Sequence, residues 1–414
     1  MINHLQNISA ENPSAEVWKH LRFFLDSQTT VKRIRWLRGI SGNEHQKNLD
    51  KQARQIAFCI RQAEEYFAAS SHVGLATRPV LLYYGAMSLS PALILLKKDG
   101  NHSLDARRKG HKHNHHGLDF SRGIAENAAR AANAQEFLKF VECSCHLREG
   151  QPWGHFPLFV DSLVPTSFAI HCETYVAGKQ SFLEHDVPMN SVDPLSASNL
   201  VGHTINALEL IKALPDLYFS LPQMGITPDL CRGSIKREIR YSGSGQPSPT
   251  IDGVAPGAPP PFDRVAYTDR FNIDGVLPEQ KTEIIALYKD KNPRIIVVDD
   301  HGANVYLTLR TEGADDQAIF QQFGYYPDVV ESIGGKKFYL TKPDRYIPEP
   351  AALLVLLFCL SMLSRYYPDI WMRNLDKNVI MAELTNELLN SVFRKFPNLM
   401  LDQLTLVKNN IRSL

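Results

Sequence analysis

The sequence lacks the features that define several large classes of protein. Its 414 residues include only six cysteines at scattered positions, which excludes a disulfide framework and fits a reducing compartment. Lys plus Arg number 45 and Asp plus Glu number 44, so no net charge draws the chain to nucleic acid or to a membrane surface. A charged partner must therefore bind at a local group of charged residues.

Long hydrophobic runs are also missing. The most apolar stretch, residues 351–363, is 13 residues long, whereas a helix needs about 20 apolar residues to span a bilayer. The first residues show no basic segment followed by an apolar one, the pattern of a secretory signal. We therefore expect a cytoplasmic protein without a transmembrane segment, in which residues 351–363 form a buried core helix.

The motifs of common enzyme classes are absent from the sequence. It contains no Walker A phosphate loop, no G-x-S-x-G, no H-E-x-x-H and no G-x-G-x-x-G. Cys143, Cys145 and His146 lack the second ligand pair of a zinc ribbon. These absences favour a protein that is not an enzyme and that needs no cofactor.

Helical patterns dominate both ends of the chain. Residues 46–70 repeat apolar side chains every three or four positions, and residues 78–96 are apolar on nearly every side, with Pro91 expected to kink or split the helix. The same periodicity predicts C-terminal helices over residues 349–366, 377–394 and 398–412. We predict a mainly α fold with a smaller mixed α/β portion, in which the N- and C-terminal helices pack together.

The middle of the chain is more mixed. Residues 198–222 are predicted as a helix, and strand patterns lie near residues 294–300, 304–310 and 336–342. A segment rich in Pro, Gly and Ser predicts a linker or long surface loop. We divide the chain into an N-terminal helical unit with a basic His-rich loop, a mixed middle segment, the linker, a small α/β unit and a C-terminal helical unit: residues 1–130, 131–241, 242–262, 263–345 and 346–414.

A basic, histidine-rich stretch is the most conspicuous polar feature, and it comprises Arg107, Arg108, Lys109, His111, Lys112, His113, His115 and His116. In an extended segment, His111, His113 and His115 share one face, and neutral imidazoles at that spacing can bind Zn²⁺ or Ni²⁺. The neighbouring cations repel a metal ion but suit phosphate. A solvated charged loop is the third interpretation, and all three stay open.

The same stretch also matches a ribonuclease pattern. Helical ribonucleases of the HEPN type place an Arg, four to six residues and then a His, and Arg107 and His113 have five residues between them. In such an enzyme the Arg holds the scissile phosphate while the His transfers a proton. A stretch so rich in Arg and His meets this spacing easily, so the ribonuclease is an alternative to the other interpretations.

Two further groups are candidates for binding. Lys32, Arg33, Arg35 and Arg38 surround Trp36 and suit an anionic surface or an acidic partner, although a helix with one charged face has the same pattern. At the end of the predicted helix 349–366, Arg365, Tyr366 and Tyr367 either cap the helix or contact a ligand.

Three stretches together resemble the YaaC-like family of bacterial proteins. They are RPVLLYYGAMSLSPALILL (78–96), the His-Gly-Leu at 116–118, and LLFCLSMLSRYYPDIW (356–371) with FPNLML (396–401). Their order and spacing match at both ends of the chain. None of them is catalytic in character.

The resemblance implies a cytoplasmic bacterial protein. Some YaaC-like proteins are similar to the sensing component of a two-gene anti-phage defence system of the jumbo-phage killer type. That role implies a sensor that binds an early infection structure and recruits a separate effector protein encoded nearby. A housekeeping scaffold protein is a further alternative, and a homodimer is a reasonable expectation for the oligomeric state.

Overall fold

The structure is a computed structural model. It describes residues 2, 4–42, 45–99, 103–109, 115–165, 167–176, 183–190, 196–242, 264–274, 281, 285–286, 295–299, 305–313, 329–341 and 347–414. Residues 243–262 of the predicted linker lie outside these ranges. All six cysteines are described, and each is a buried residue outside any disulfide.

Helices form most of the N-terminal half of the chain. They are α1 (Pro13–Leu21), α2 (Ser27–Arg38), α3 (Gln46–Ser70), α4 (Arg78–Lys97), α5 (Leu104–Lys109), α6 (Arg122–Ala129), α7 (Ala134–Phe140), α8 (His155–Val160) and α9 (Ala207–Lys212). Short 3-10 turns cover Arg22–Leu25, Ala197–Leu200, Pro215–Leu217 and Pro222–Met224. The amphipathic α3 buries the predicted stripe from Leu49 to Phe67 against α4.

Three helices close the chain: α10 (Glu349–Tyr366), α11 (Pro368–Lys377) and α12 (Val379–Thr405). Both α10 and α12 pack against α4, and their apolar side chains join those of α1–α4 in one hydrophobic core. Nearly every residue of α10 is buried, as residues 351–363 predicted. The expected mainly α fold, with N- and C-terminal helices packed together, is therefore confirmed.

Pro91 and Pro397 end neither α4 nor α12, the helices in which they lie. The prediction of separate helices over 377–394 and 398–412 was wrong, because α12 continues through Pro397 and the chain after Thr405 is a strand. Likewise, α4 is not split at Pro91. Burial of the neighbouring Phe396 and Met400 in the core offsets the hydrogen bond that Pro397 cannot make.

The predicted helix over residues 198–222 was also wrong. Gly202, at a φ of +77°, follows a 3-10 turn, and a three-residue strand precedes α9. The Asn206 side chain accepts hydrogen bonds from the backbone N–H groups of Leu208 and Glu209 and so begins α9. Local side-chain capping therefore divides an apolar pattern that looks continuous.

The strands in chain order are β1 (His4–Ala10), β2 (Leu118–Asp119), β3 (Glu142–Cys145), β4 (Leu147–Arg148), β5 (Gln151–Pro152), β6 (Ser167–Val176), β7 (Leu183–Asn190), β8 (Thr204–Asn206), β9 (Leu230–Ser242), β10 (Arg264–Asp274), β11 (Ile295–Asp299), β12 (Val305–Gly313), β13 (Val329–Glu331), β14 (Lys337–Leu340) and β15 (Val407–Ser413). One sheet has the order β11-β12-β10-β9-β14-β13, and β6, paired with β7, joins β9 in parallel. This sheet takes strands from both sides of the linker.

The two ends of the chain meet in a separate ladder. Strands β1 and β15 pair in parallel, from His4 opposite Val407 to Ala10 opposite Ser413. Strand β15 follows α12 directly, at Leu406, whose φ of +52° turns the chain out of the helix. The N-terminus is thereby attached to the C-terminal helical layer.

Two helices, α4 and α10, are long and apolar enough to cross a membrane by length and composition. In each, 78% of the apolar window is buried inside the protein, as in the core helix of a globular domain. The expected absence of a transmembrane segment stays a prediction.

Candidate functional site

The stretches that carry the sequence resemblance meet at one cluster of polar side chains. Tyr83 and Tyr84 lie on α4, His116 lies just before β2, and Arg365 lies in the last turn of α10. The Tyr83 hydroxyl is 3.0 Å from His116 Nδ1, and Arg365 Nη1 donates to the Tyr84 hydroxyl at 2.7 Å. We call these four residues the Arg365 site.

Close backbone packing positions His116. The carbonyl oxygens of His115 and His116 accept hydrogen bonds from the backbone N–H groups of His155 and Phe156, at 2.8 and 3.0 Å. Gly117 follows at a φ of +86°, and a Cβ there would lie 2.6 Å from Pro157. Only glycine meets both the conformational and the steric demand, which explains the Gly of the His-Gly-Leu motif.

Arg365 is half-buried among neutral groups. Its guanidinium carbon lies 5.7, 5.4 and 5.1 Å from the ring centres of Tyr83, Tyr84 and Tyr366, at cation–π range. Its Nε donates to the carbonyl of Ser361 at 3.2 Å. Within the described ranges, no carboxylate lies at ion-pair distance from this guanidinium, so its charge is available to an anion.

The environment holds Tyr83 and His116 of the Arg365 site neutral. Burial raises the pKa of Tyr83, so its hydroxyl keeps its proton. Burial also lowers the pKa of His116, and the positive charges of Arg365 and His115 lower it further. At neutral pH the site therefore contains one permanent cation, the neutral Tyr83 hydroxyl and a neutral imidazole. It can bind an anion through charge-assisted hydrogen bonds.

A second polar group lies next to the Arg365 site. The rings of His115 and His146 stack at 4.0 Å, and His146 Nδ1 is 2.9 Å from the Asp119 carboxylate. Potential ligand atoms of these three residues lie within 4.8 Å of one another. However, His115 Nδ1 already accepts the Gly117 N–H at 3.0 Å, and Asp119 is engaged by His146. These contacts use Nδ1 of both rings, so a metal ion that keeps them would be bound through Nε2 of His115 and of His146.

The histidines of the predicted metal set are only partly described. His115 lies beside His146 and Asp119, whereas His111 and His113 lie outside the described residues. The HEPN-like pair is also only partly described, because Arg107 belongs to α5 whereas His113 lies outside the described residues. Arg108 and Lys109 are also on α5, and Lys112 is undescribed. Metal binding, phosphate contact and ribonuclease activity at this stretch stay predictions.

The other basic group, Lys32, Arg33, Arg35 and Arg38, lies on α2. Arg33 donates to the carbonyls of Leu404 and Thr405 at the end of α12. Arg38 donates to the carbonyl of Leu95 at the end of α4, at 2.6 Å. Arg35 contacts the carbonyl of Gly42 and the side chain of Gln46. Three of the four side chains thus bind nearby backbone or side-chain groups, and anion binding by this group stays a prediction.

Sequence reasoning proposed Arg365 and its partner Tyr366 but missed Tyr83, Tyr84 and His116. Tyr83 and Tyr84 lie in an apolar run that indicates only a core helix, and His116 is one of several histidines in its stretch. The Tyr-Tyr pair inside an otherwise aliphatic helix is the available signal, because a buried tyrosine hydroxyl needs a hydrogen-bond partner.

A family model described as YaaC-like Protein matches residues 23–404, which is nearly the whole chain. No curated protein and no solved structure matches the sequence. The match includes all four residues of the Arg365 site.

Proposed function

Since the chain belongs to the YaaC-like family, we propose that it is a non-enzymatic recognition protein of bacterial anti-phage defence. In this proposal it works in the cytoplasm, binds an early infection structure, and recruits a separate effector protein encoded nearby. The family resemblance supports the defence role and the two-component arrangement. The lack of common catalytic motifs in the sequence supports recognition over catalysis.

The observation that carries the recognition role is the Arg365 site. A half-buried guanidinium surrounded by hydroxyls and rings suits an anionic group of the infection structure, because such a group gains charge-assisted hydrogen bonds there. Binding would order Arg365 between the N-terminal helix α4 and the C-terminal helix α10. A contact between these two layers can transmit occupancy to an effector-binding surface elsewhere.

The test compares the plating efficiency of a phage panel on cells that carry this gene with its genomic neighbour. Arg365→Gln removes the charge but keeps a hydrogen-bonding side chain, and we expect it to abolish protection. Arg373→Gln is the matched control, because Arg373 lies nearby on α11 with an exposed side chain. Circular dichroism and thermal unfolding of both purified variants verify that each one folds.

Protection that survives Arg365→Gln in a folded protein would contradict the assignment of the site. Two other results would replace the sensor hypothesis. Degradation of RNA by the purified protein, abolished by His113→Ala, would establish the ribonuclease alternative with Arg107 and His113. A neutral phage phenotype for the unaltered gene pair would favour a housekeeping scaffold.

A further inference from the structure

A second candidate site lies beside the first residue of α10, Glu349, at the opposite end of that helix from Arg365. A cavity of about 520 Å³ lies where α1, α12 and β15 meet the β13–β14 turn. Its size is within the range of natural small-molecule sites. It opens to solvent beside Arg394 and Arg412, both of which are exposed.

The inner wall of this cavity is charged and buried. It includes Glu331, Glu349, Lys395 and Lys408, whose side chains are each at most 10% exposed. Lys395 Nζ is 2.6 Å from Glu349 and Lys408 Nζ is 3.3 Å from Glu331. Asp216 lies 2.6 Å from Lys395 Nζ and Asp402 lies 3.9 Å from Lys408 Nζ, so both ammonium groups of the inner wall are already paired and the inner wall offers no unpaired cation.

The outer wall carries positive charge that is not compensated. Arg394 Nε donates only to the carbonyl of Asn390, at 3.3 Å. In the part of the chain that the structure describes, no carboxylate is at ion-pair distance from Arg394 or Arg412. Two arginines at the mouth of a cavity are suited to bind a phosphate or a carboxylate, because the guanidinium can donate two parallel hydrogen bonds.

We propose that this cavity binds a small organic anion that carries a phosphate or a carboxylate. Arg394 and Arg412 bind the anionic group at the mouth, and the rest of the ligand lies in the cavity. The lining comes from α1, α12, β15 and the β13–β14 turn, so the ligand connects the helical core to the sheet. This inference does not depend on the defence role or on the Arg365 site.

The experiment measures thermal unfolding and calorimetric binding of the full-length protein with five probes. They are adenosine monophosphate, ribose phosphate, malate, and the uncharged adenosine and ribose. We expect at least one of the three charged probes to raise the unfolding midpoint. Adenosine and ribose, which carry no charge, should have no effect. The charged probes also distinguish a phosphate from a carboxylate ligand.

Variants assign the effect to the cavity. The double variant Arg394→Gln with Arg412→Gln should raise the Kd of the active probe at least about tenfold. Arg373→Gln, an exposed arginine on α11, should leave the Kd unchanged. Binding that persists in a folded double variant, or no binding of any charged probe, would overturn the proposal.

Discussion

Burial changes the protonation of one lysine side chain, Lys97. Lys97, the last residue of α4, donates from Nζ to the carbonyl of Ser162 at 2.8 Å and to Gln403 Oε1 at 3.3 Å. Its amine is deeply buried, and burial lowers the Lys97 pKa to about 7, with Arg33 and Lys98 as lesser causes. At neutral pH this lysine is partly uncharged, which is uncommon for its type.

A pH-dependent stability follows from Lys97. The unfolded chain keeps the Lys97 proton up to a pH of about 10.5, whereas the folded protein releases it near pH 7. Between these values the unfolded state binds more protons, so the free energy of unfolding should rise with pH, by a few kcal/mol in total. Urea unfolding from about pH 6 to about pH 9 measures this dependence.

The same measurement is made on Lys97→Met. This substitution should remove most of the increase in the free energy of unfolding with pH. Lys19→Met, at a lysine whose side chain is 64% exposed, is the control and should keep it. Parallel pH curves for the unaltered protein and Lys97→Met would show that the lysine is not the source of the effect.

At the scale of elements, the close approach of α3 and α4 organises the N-terminal half of the core. Gly85 faces Phe67, and an added Cβ at Gly85 would lie 2.6 Å from the Phe67 ring. Phe67 is fully buried and packs against Trp18 and Phe393, at ring-centre distances of 5.5 and 6.2 Å. The ring therefore has little room to move away.

Gly85→Ala should therefore destabilise the protein although alanine is the better helix former. The gain in helix propensity is about 1 kcal/mol, whereas overpacking a closed core costs about 1–3 kcal/mol. We expect a net loss of about 1 kcal/mol in the free energy of unfolding, measured by urea denaturation. Gly74→Ala is the control, because no atom lies within 4 Å of the added Cβ there. Equal stabilities of the two variants would contradict the packing argument.

At the scale of the whole molecule, a buried ionic network joins the sheet to the helices. Lys395 Nζ on α12 lies 2.6 Å from Asp216, 2.6 Å from Glu349 on α10, and 2.8 Å from the carbonyl of Glu331 on β13. The carboxylates beside it raise the Lys395 pKa although burial opposes this, while burial raises the pKa of Glu349. Elements far apart in the chain therefore meet at one ammonium group.

Lys395→Met should lower the free energy of unfolding by about 3–5 kcal/mol, because it leaves buried carboxylates without their cation. Chemical denaturation measures the loss. Lys19→Met removes an exposed ion pair with Glu16 and should leave stability almost unchanged. If Lys395→Met lowers the free energy of unfolding no more than the Lys19 variant does, the ionic network contributes little to the packing of the sheet against the helices.

Periodicity predicted the helices of both helical units, the buried stretch 351–363 and the strands near residues 295, 305 and 337, because it reports which side chains avoid water. Local motifs indicated the family. The passage of α12 through Pro397 follows from core packing around it, and the division of residues 198–222 follows from the cap at Asn206. Periodicity does not report packing energy or side-chain capping.

The composition of both candidate sites was likewise decided by tertiary contacts. Arg365 and Tyr84 are separated by 281 positions in the chain, and Lys395 and Asp216 by 179. A sequence pattern identifies the apolar face of a helix but not the element that covers that face. The partners of Arg365 and Lys395 follow from how the N-terminal helices, the C-terminal helices and the sheet pack together, and that packing is a property of the whole folded chain.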